Sequence, residues 1–316
     1  MKIAFFLFAI NVFVISCHSL KNEDIRNSDP DIPRNQVFDY SFSVKTAAKY
    51  YIENISETDI ELEIDDKKIE RSSKLESAII LEPLQDSSNI LIRVSYEKII
   101  ITTQDQEGDE VIVDADHATK AFNTVDNILG IIKDAPFYIS LDSNGNVVKV
   151  SGTQEIINKV LNEVASRAKD SETKIKELVE QLVGESYIKS SFNQNFKIFP
   201  DTSVHIGSKW SKEYEESATI NFISKNNYEV TKLNDEIVAL KFKGDIKSGS
   251  IPASLMGTNV QTKITGTQTG KMEFDRASGM MIKSSSTTEI EGTVEVMGKV
   301  IPLNIEIKKS TTTRKF

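Results

Sequence analysis

Ile90, Ile92, Val94 and Tyr96 alternate with Leu91, Arg93, Ser95 and Glu97, and the same period of two recurs along the chain. Val238, Leu240 and Phe242 alternate with Ala239, Lys241 and Lys243, and Met272 and Phe274 with Lys271, Glu273 and Asp275. Ile301, Leu303, Ile305 and Ile307 do so with Pro302, Asn304, Glu306 and Lys308. Successive side chains of a strand point to opposite faces, so each of these segments has one buried and one wet face. That is the mark of antiparallel sheet; a parallel sheet, covered on both faces, reads as continuous apolar runs.

Turn chemistry agrees. Asp142-Ser143-Asn144-Gly145 lies between Phe137–Leu141 and Val147–Val150, and Asn-Gly supplies the two positive-φ residues of a tight hairpin. A related unit follows at Met272–Phe274, Asp275-Arg276-Ala277-Ser278-Gly279 and Met280–Lys283. In both, a strand ends on aspartate, turns through glycine and carries a lysine four residues later. Met297-Gly298 reads as a third hairpin.

Helical periodicity interrupts the strands twice. Asp114 stands where it would cap a helix with Ala118, Ala121, Phe122, Val125, Ile128 and Leu129 on one face. Thr153 would cap a longer one, whose stripe runs from Ile156 and Ile157 to Leu182 and Val183 without losing phase, and which Gly184 ends. One helix of roughly 30 residues is the expectation there. The fold class expected is therefore α+β: a large curved antiparallel β-sheet, half-barrel-like, packed on one or two central amphipathic helices. Residues 37–316 would form this domain, with its helical middle at about 114–184.

The first residues constrain destination. Lys2 is followed by an apolar run from Ile3 to Ile15, broken only by Asn11. Thirteen residues of helix reach about 20 Å, short of the ~30 Å hydrocarbon core of a bilayer. The run reads as the core of a signal peptide, residues 1–16. Val14-Ile15-Ser16-Cys17 then resembles the bacterial lipobox, whose cysteine takes diacylglycerol before cleavage on its N-terminal side. Cys17, the single cysteine of the chain, is thus the candidate lipidation site. Two or more acyl chains hold a protein stably on a membrane where one does so marginally. Residues 17–36 are polar, with Asp29-Pro30-Asp31 and Pro33, and read as the acylated N-terminus and a flexible tether. The expected location is the bacterial cell envelope, lipid-anchored, at the outer membrane on its periplasmic or surface face.

Charge and composition exclude several partners. The chain has 38 basic and 47 acidic residues; without residues 1–16, which hold only Lys2, it has 37 against 47, or −10. Phosphate binding needs a clustered positive field, so nucleic acid is excluded as a partner. With Cys17 taken by lipid, neither a disulfide nor a thiolate metal site remains.

Candidate chemistry is sparse. His18, His117 and His205 are the only histidines and none is paired at ligand spacing, so no metal is expected. Asp142-Ser143-Asn144-Gly145-Asn146 has the oxygen-rich look of a calcium loop, but its twelfth position is Thr153, not a bidentate glutamate. Asp65-Asp66 and Glu215-Glu216 are adjacent carboxylates in polar segments, and neighbours on a strand face opposite ways. There is no Gly-x-Ser-x-Gly elbow and no glycine-rich phosphate loop. Trp210, the only tryptophan, reads as a core anchor where a strand begins. Ser284–Thr288 and Ser310–Thr313 read as the wet faces of strands.

The stretch Phe199-Pro200-Asp201-Thr202-Ser203-Val204-His205-Ile206-Gly207-Ser208-Lys209-Trp210 resembles a motif in a family of uncharacterised bacterial lipoproteins, classed as a domain of unknown function. Members carry a proline, then an aliphatic-x-aliphatic-Gly segment ending in tryptophan, after a central helix. A strand-Asp-x-x-Gly-x-Val hairpin precedes that helix, as at Leu141–Val148, and a strand, glycine turn and strand follow, as at Gly266–Lys283. Ser208 stands where the family has an acidic residue. The similarity would span residues 37–316, and it implies an exported lipoprotein without implying an activity.

The function expected is that of an exported, membrane-anchored, non-catalytic lipoprotein with a binding or envelope-supporting role and no cofactor. Its partners would be the membrane, through the lipid anchor, and an apolar ligand or an envelope protein. Two other readings stand beside it. One is a carrier of lipid or another apolar ligand in a cavity between sheet and helices; the other is an envelope hydrolase, which would need convergent titratable groups.

Overall fold

A computed structural model describes residues 17–23, 37–40, 48–84, 90–104, 108–116, 124–142, 146–165, 176, 179–180, 183–196, 198–216, 222–249, 253–255, 258–296 and 298–316. Among them are fourteen strands. The first seven are β1 (Cys17–Glu23), β2 (Tyr50–Ile64), β3 (Lys67–Leu84), β4 (Ile90–Gln104), β5 (Glu110–Asp114), β6 (Phe137–Leu141) and β7 (Val147–Ser151). The others are β8 (Lys209–Glu216), β9 (Phe222–Leu233), β10 (Ile237–Ser248), β11 (Ala253–Leu255), β12 (Thr258–Asp275), β13 (Met281–Val296) and β14 (Lys299–Lys315). Three helices lie between them: α1 (Thr124–Asp134), α2 (Thr153–Ala165) and α3 (Glu185–Phe196).

All the strands belong to one antiparallel sheet, ordered β1-β8-β9-β10-β12-β13-β14-β2-β3-β4-β6-β7, with β11 added to β12 and β5 to β4. Most neighbours are hairpins, as alternation and turn residues led one to expect. The decisive exception is β14 against β2, which pairs Leu303 with Leu62 and Lys315 with Tyr50. The ladder continues past the strand ends, where Lys49 and Phe316 exchange both backbone hydrogen bonds, at 3.1 and 3.0 Å.

The expected α+β arrangement is not what forms. Strand makes up 67% of the described residues and helix 15%, so the molecule is a large open antiparallel sheet and not a sheet packed on central helices. The strands account for this, because they are longer than the alternating segments suggested: β3 and β12 have 18 residues each and β14 has 17. The helices are short and serve one part of the sheet. Ile128, Leu129 and Ile132 of α1, Ile156, Ile157 and Val160 of α2, and Ile188 and Phe192 of α3 join one core with Leu81, Ile92, Val94, Phe137 and Ile139. The terminal strands β1 and β7 do not pair, yet α3 packs against both.

Helix boundaries differ from expectation for local reasons. Asp114 ends β5, and its carboxylate accepts a hydrogen bond from the Asp116 N–H at 2.9 Å, which makes a turn and not a helix cap. The described helix begins at Thr124. Gly152, at φ +92°, occupies the cap of α2, and its carbonyl accepts from the Ile156 N–H. Most of the second half of the expected long helix, 166–182, lies outside the described residues. Beyond Gly184 a further helix, α3, went unread because its apolar positions, Tyr187, Ile188 and Phe192, are few in a polar segment.

Two other cores cover the same sheet. One gathers Trp210, Tyr214, Tyr228, Val230, Val238, Leu240, Phe242 and Phe274 beneath Phe38, Ile198, Phe199 and Val204. The second, at the opposite strand ends, joins Ile60, Leu62, Ile246, Ile264, Ile290, Val294, Leu303, Ile305 and Ile307 with Phe222. A bulge between Ala78 and Ile79, opposite Tyr96, shifts the phase of β4. Thus Ile92 and Val94 are buried on even positions, and Ile99 and Ile101 on odd ones.

The β2–β3 turn is unusual in residue type. Asp65 and Asp66 have φ of 51° and 61°, the double left-handed conformation of a type I′ turn, which Asn-Gly makes with least strain. The adjacent carboxylates are thus turn residues, with Asp65 3.2 Å from Lys299 Nζ. Replacing Asp66 with glycine is expected to stabilise the domain by about 0.5–1 kcal/mol in urea unfolding; a loss of stability would show that Asp66 holds the turn by a side-chain contact. Alkaline pH gives a second test. Burial pushes the Tyr96 phenol up to about 12 and raises Tyr187 and Tyr40 as well. An unfolded tyrosine loses its proton near pH 10, so this stabilisation is complete below pH 10 and declines as pH rises from 10 through 12. Tyrosinate absorbance followed beside circular dichroism should show late ionisation coinciding with unfolding. Ionisation of all the tyrosines with a single midpoint near pH 10 and the fold intact would contradict the burial of these hydroxyls.

Candidate functional site

The inward face of the sheet changes character halfway along its strands. At one end β13 and β14 present Ile290 beside Ile305, and β2 presents Ile60 beside Ile305. Two steps along, the same strands present Thr288 beside Ile307, then Ser286 beside Lys309 beside Ser56, then Ser284 beside Thr311 beside Asn54. On β12 the neighbours of Thr288 and Ser284 are Gln268 and Met272. On β9 the same face carries Ser224, Asn226 and Tyr228, and on β3 Leu75 and Ser77. A belt of hydroxyls and amides therefore crosses the middle of the sheet between its apolar cores.

This belt lines a cavity of about 170 Å³. Asn54, Ser77, Ser224, Asn226, Gln268 and Thr288 supply polar atoms to it; Tyr214, Phe222, Tyr228, Phe242 and Ile198 form its apolar wall. Lys309 is the one charged side chain among the described residues that line it. The polar groups are partly organised among themselves. Gln268 Nε2 donates to Asn226 Oδ1, Asn226 Nδ2 to the Tyr228 hydroxyl at 3.4 Å, and the Tyr228 hydroxyl to that of Tyr214 at 3.4 Å. Thr311 Oγ1 donates to Asn54 Oδ1 at 2.8 Å. Ser224, with 0% exposure, points its hydroxyl at no partner, and neither does the buried Thr313 hydroxyl further along β14. A buried hydroxyl without a hydrogen bond costs of order 1–3 kcal/mol, so the belt is incompletely satisfied by the protein itself.

Two glycines make the close packing behind this wall possible. A Cβ on Gly270 would stand 2.4 Å from Phe242, and one on Gly244 would stand 1.9 Å from Asn226 Oδ1. The Phe242 ring and the Asn226 amide thus lie over backbone that carries no side chain.

The segment singled out for its tryptophan backs the cavity. Phe199 stacks on Tyr40 at 4.9 Å and on Trp210 at 5.9 Å, and meets Phe274 edge-on at 5.0 Å. Trp210 stacks on Tyr228 at 5.6 Å, and its Nε1–H donates to the Ile198 carbonyl at 2.8 Å. Trp210 is 3% exposed and is a core anchor, one ring removed from the cavity. Gly207, at φ +86°, makes the turn into β8, its N–H donating to Val230 O. Lys212 is buried on β8 with Nζ 2.6 Å from the Phe199 carbonyl; nothing in its exposed-looking surroundings, Ser211-Lys212-Glu213, signals this in the sequence.

The other sequence candidates are dispersed. Cys17 is the first residue of β1, in register with Glu216, and His18 is opposite Glu215. Residues 24–36 of the expected tether lie outside the described residues, as do His117 and residues 143–145. Asp142 and Asn146 close that hairpin, the Asp142 carboxylate accepting from the Asn146 N–H at 2.8 Å and from its side-chain amide at 2.7 Å. Both Asp142 oxygens are thus engaged in the turn. His205 sits in the turn before β8 with Nδ1 2.9 Å from the Ile206 carbonyl. The described residues contain no cluster of three or more His, Cys, Asp or Glu able to hold a metal ion. The serine and threonine runs read as wet faces are split: Ser284, Ser286, Thr288 and Thr311 line the cavity, while Ser285 and Thr312 are exposed. Over the outward face runs a wider groove of about 610 Å³, lined by Asp59, Glu61, Glu70, Glu289, Glu291 and Glu306 with Arg71. Lys68 holds two of these carboxylates, Glu61 and Glu70, at 2.8 and 2.9 Å, and these hydrogen bonds raise its pKa.

The sequence profile of DUF6263, a family of unknown function, matches residues 87–281, more than half of the chain. The chain belongs to this family. The DUF6263 stretch contains Phe199–Trp210 and the Leu141–Val148 hairpin, while β2, β14 and most of β13 fall outside it. Comparison with curated proteins finds no match. Among solved structures, one of lipovitellin, concerned with lipid–protein interactions, is 10% identical with a TM-score of 0.45. The alignment covers 84% of this chain and 25% of lipovitellin, so the chain spans about a quarter of that protein. An outer membrane channel from Pseudomonas putida F1 is 5% identical with a TM-score of 0.20, over 91% of this chain and 100% of the channel. Scores below 0.5 establish no common fold.

Replacing Trp210 with phenylalanine keeps the stacking on Tyr228 and removes the buried hydrogen bond to Ile198. The expected cost is about 1–3 kcal/mol in denaturant unfolding, with the Ile198 carbonyl left unpaired. An unchanged midpoint would show that this bond does not hold the 198–204 segment on the sheet.

Proposed function

We propose that this DUF6263 chain is an exported lipoprotein of the bacterial cell envelope, anchored through Cys17, that binds a ligand on the inward face of its sheet without transforming it. The observation that supports a binding role is the polar cavity. Its lining of hydroxyl and amide groups offers hydrogen bonds, the buried Ser224 hydroxyl is unpaired, and the edges of aromatic rings complete the wall. Hydroxyls and amides of this kind orient a ligand; general acid–base work needs titratable groups placed against one another.

The anchor reading is supported by the basic start, the thirteen-residue apolar run and Val14-Ile15-Ser16-Cys17. With Cys17 heading a strand paired to β8, lipid on this residue would hold the sheet edge close to the membrane. A carrier of apolar ligands is the second reading, favoured by the apolar inward strip of Phe222, Ile246, Ile264, Ile290 and Leu303. It stands second because the space between sheet and helices is occupied by one packed core.

In a bacterial host, the full chain should sediment with membranes, and its processed N-terminus should carry acyl mass on Cys17. The Cys17→Ala chain should move to the soluble fraction. Continued membrane association of that variant, or a processed N-terminus without acyl groups, would overturn the anchor.

A further inference from the structure

We infer that the cavity on the inward face is a site for a small, uncharged, hydroxyl-rich molecule of the size of a monosaccharide; this rests on the binding reading above and names its ligand class. Four observations carry it.

The first is the lining. Half-buried positions of a sheet interior are ordinarily apolar, yet here Asn226, Gln268, Thr288, Ser286 and Ser284 occupy neighbouring inward positions on β9, β12 and β13. An apolar ligand would strip water from these groups and return no hydrogen bond, at a cost for each. A molecule dense in hydroxyls returns those bonds, since every hydroxyl both donates and accepts.

The second is Ser224. Ser224 borders the cavity, and its fully buried hydroxyl has no partner among the protein groups; a small shift of the wall would bring this unspent hydrogen bond to a ligand oxygen.

The third is the opposing wall of Tyr214, Tyr228 and Phe242. These rings are largely buried, with Tyr228 stacked on Trp210, so they offer a sugar ring apolar edges, while the two tyrosine hydroxyls continue the polar belt. The fourth is size. A volume of about 170 Å³ holds about six water molecules, which suits a compact ring with its substituents better than an extended acyl chain.

The test uses the single tryptophan. Because Trp210 stacks on Tyr228, a cavity-lining ring, its fluorescence reports occupancy. The full chain in detergent is titrated with D-glucose, with N-acetyl-D-glucosamine and with palmitate. A saturable change with either sugar is expected, and Ser286→Ala and Thr288→Val should each raise half-saturation about tenfold, the loss of roughly one hydrogen bond. Circular dichroism melts establish that both variants fold; should Thr288→Val fail, the half-exposed Ser286→Ala carries the comparison. Sugar binding indifferent to these substitutions would overturn the site. A saturable response to palmitate alone would overturn the ligand class and leave the binding reading standing. No saturable response to any of the three would overturn both.

Discussion

The pairing of β14 with β2 is the contact on which the rest of this protein depends. Without it the chain would hold two separate meanders, β8 to β14 and β2 to β7, each with one apolar face and joined by no backbone ladder, only by side-chain packing such as that of α3 on β1 and β7. The ladder runs from Leu303–Leu62 to Lys315–Tyr50 and ends in the exchange between Lys49 and Phe316. It closes a loop of more than two hundred residues, and the entropy of closure grows only slowly with such length. What it returns is one continuous ladder with shared cores on either side.

That continuity explains how the interior is zoned. Apolar side chains cluster at both ends of the strands, and the belt between them is made from rows contributed by β9, β12, β13, β14, β2 and β3. Since β14 meets β2 in a fixed register, Lys309 and Thr311 stand beside Ser56 and Asn54. A slip by one residue would turn every one of these side chains to the other face. The site therefore belongs to the register of the seam. It is also the part of the interior that burial alone stabilises least, because its polar atoms gain little by leaving water unless each finds a partner.

Much of this fold was legible in the sequence. Alternation found β4, β10, β12 and β14, and the glycine turns found the β6–β7 and β12–β13 hairpins. Asp275 closes the latter as expected of its position, with its backbone N–H donating to Met280 O and its carboxylate accepting from the Ser278 N–H. The excess weight given to helices had a physical source: a strong amphipathic stripe says that a helix forms and nothing about how much sheet surrounds it. The Asp65-Asp66 turn was hidden because Asp66 stands where a type I′ turn favours glycine. The bulge at Ala78 hid the continuation of β4 by shifting its phase. Within the candidate site, Ser284–Thr288 looked like a solvent-facing run, because serine and threonine suit a wet face as readily as a polar cavity.

By itself the sequence determined that the chain forms antiparallel strands, where several of them turn, and that Trp210 anchors a core. These follow from local chemistry: period-two alternation, glycine at positive φ and the size of an indole. Tertiary structure alone decided the order in which the strands join the sheet, that the helices are peripheral to it, and that a belt of hydroxyls and amides lines a cavity. The reason is that strand partners are chosen over the whole chain. Residues 54 and 311 become neighbours only through the β14–β2 ladder, and no local pattern near either one encodes the other.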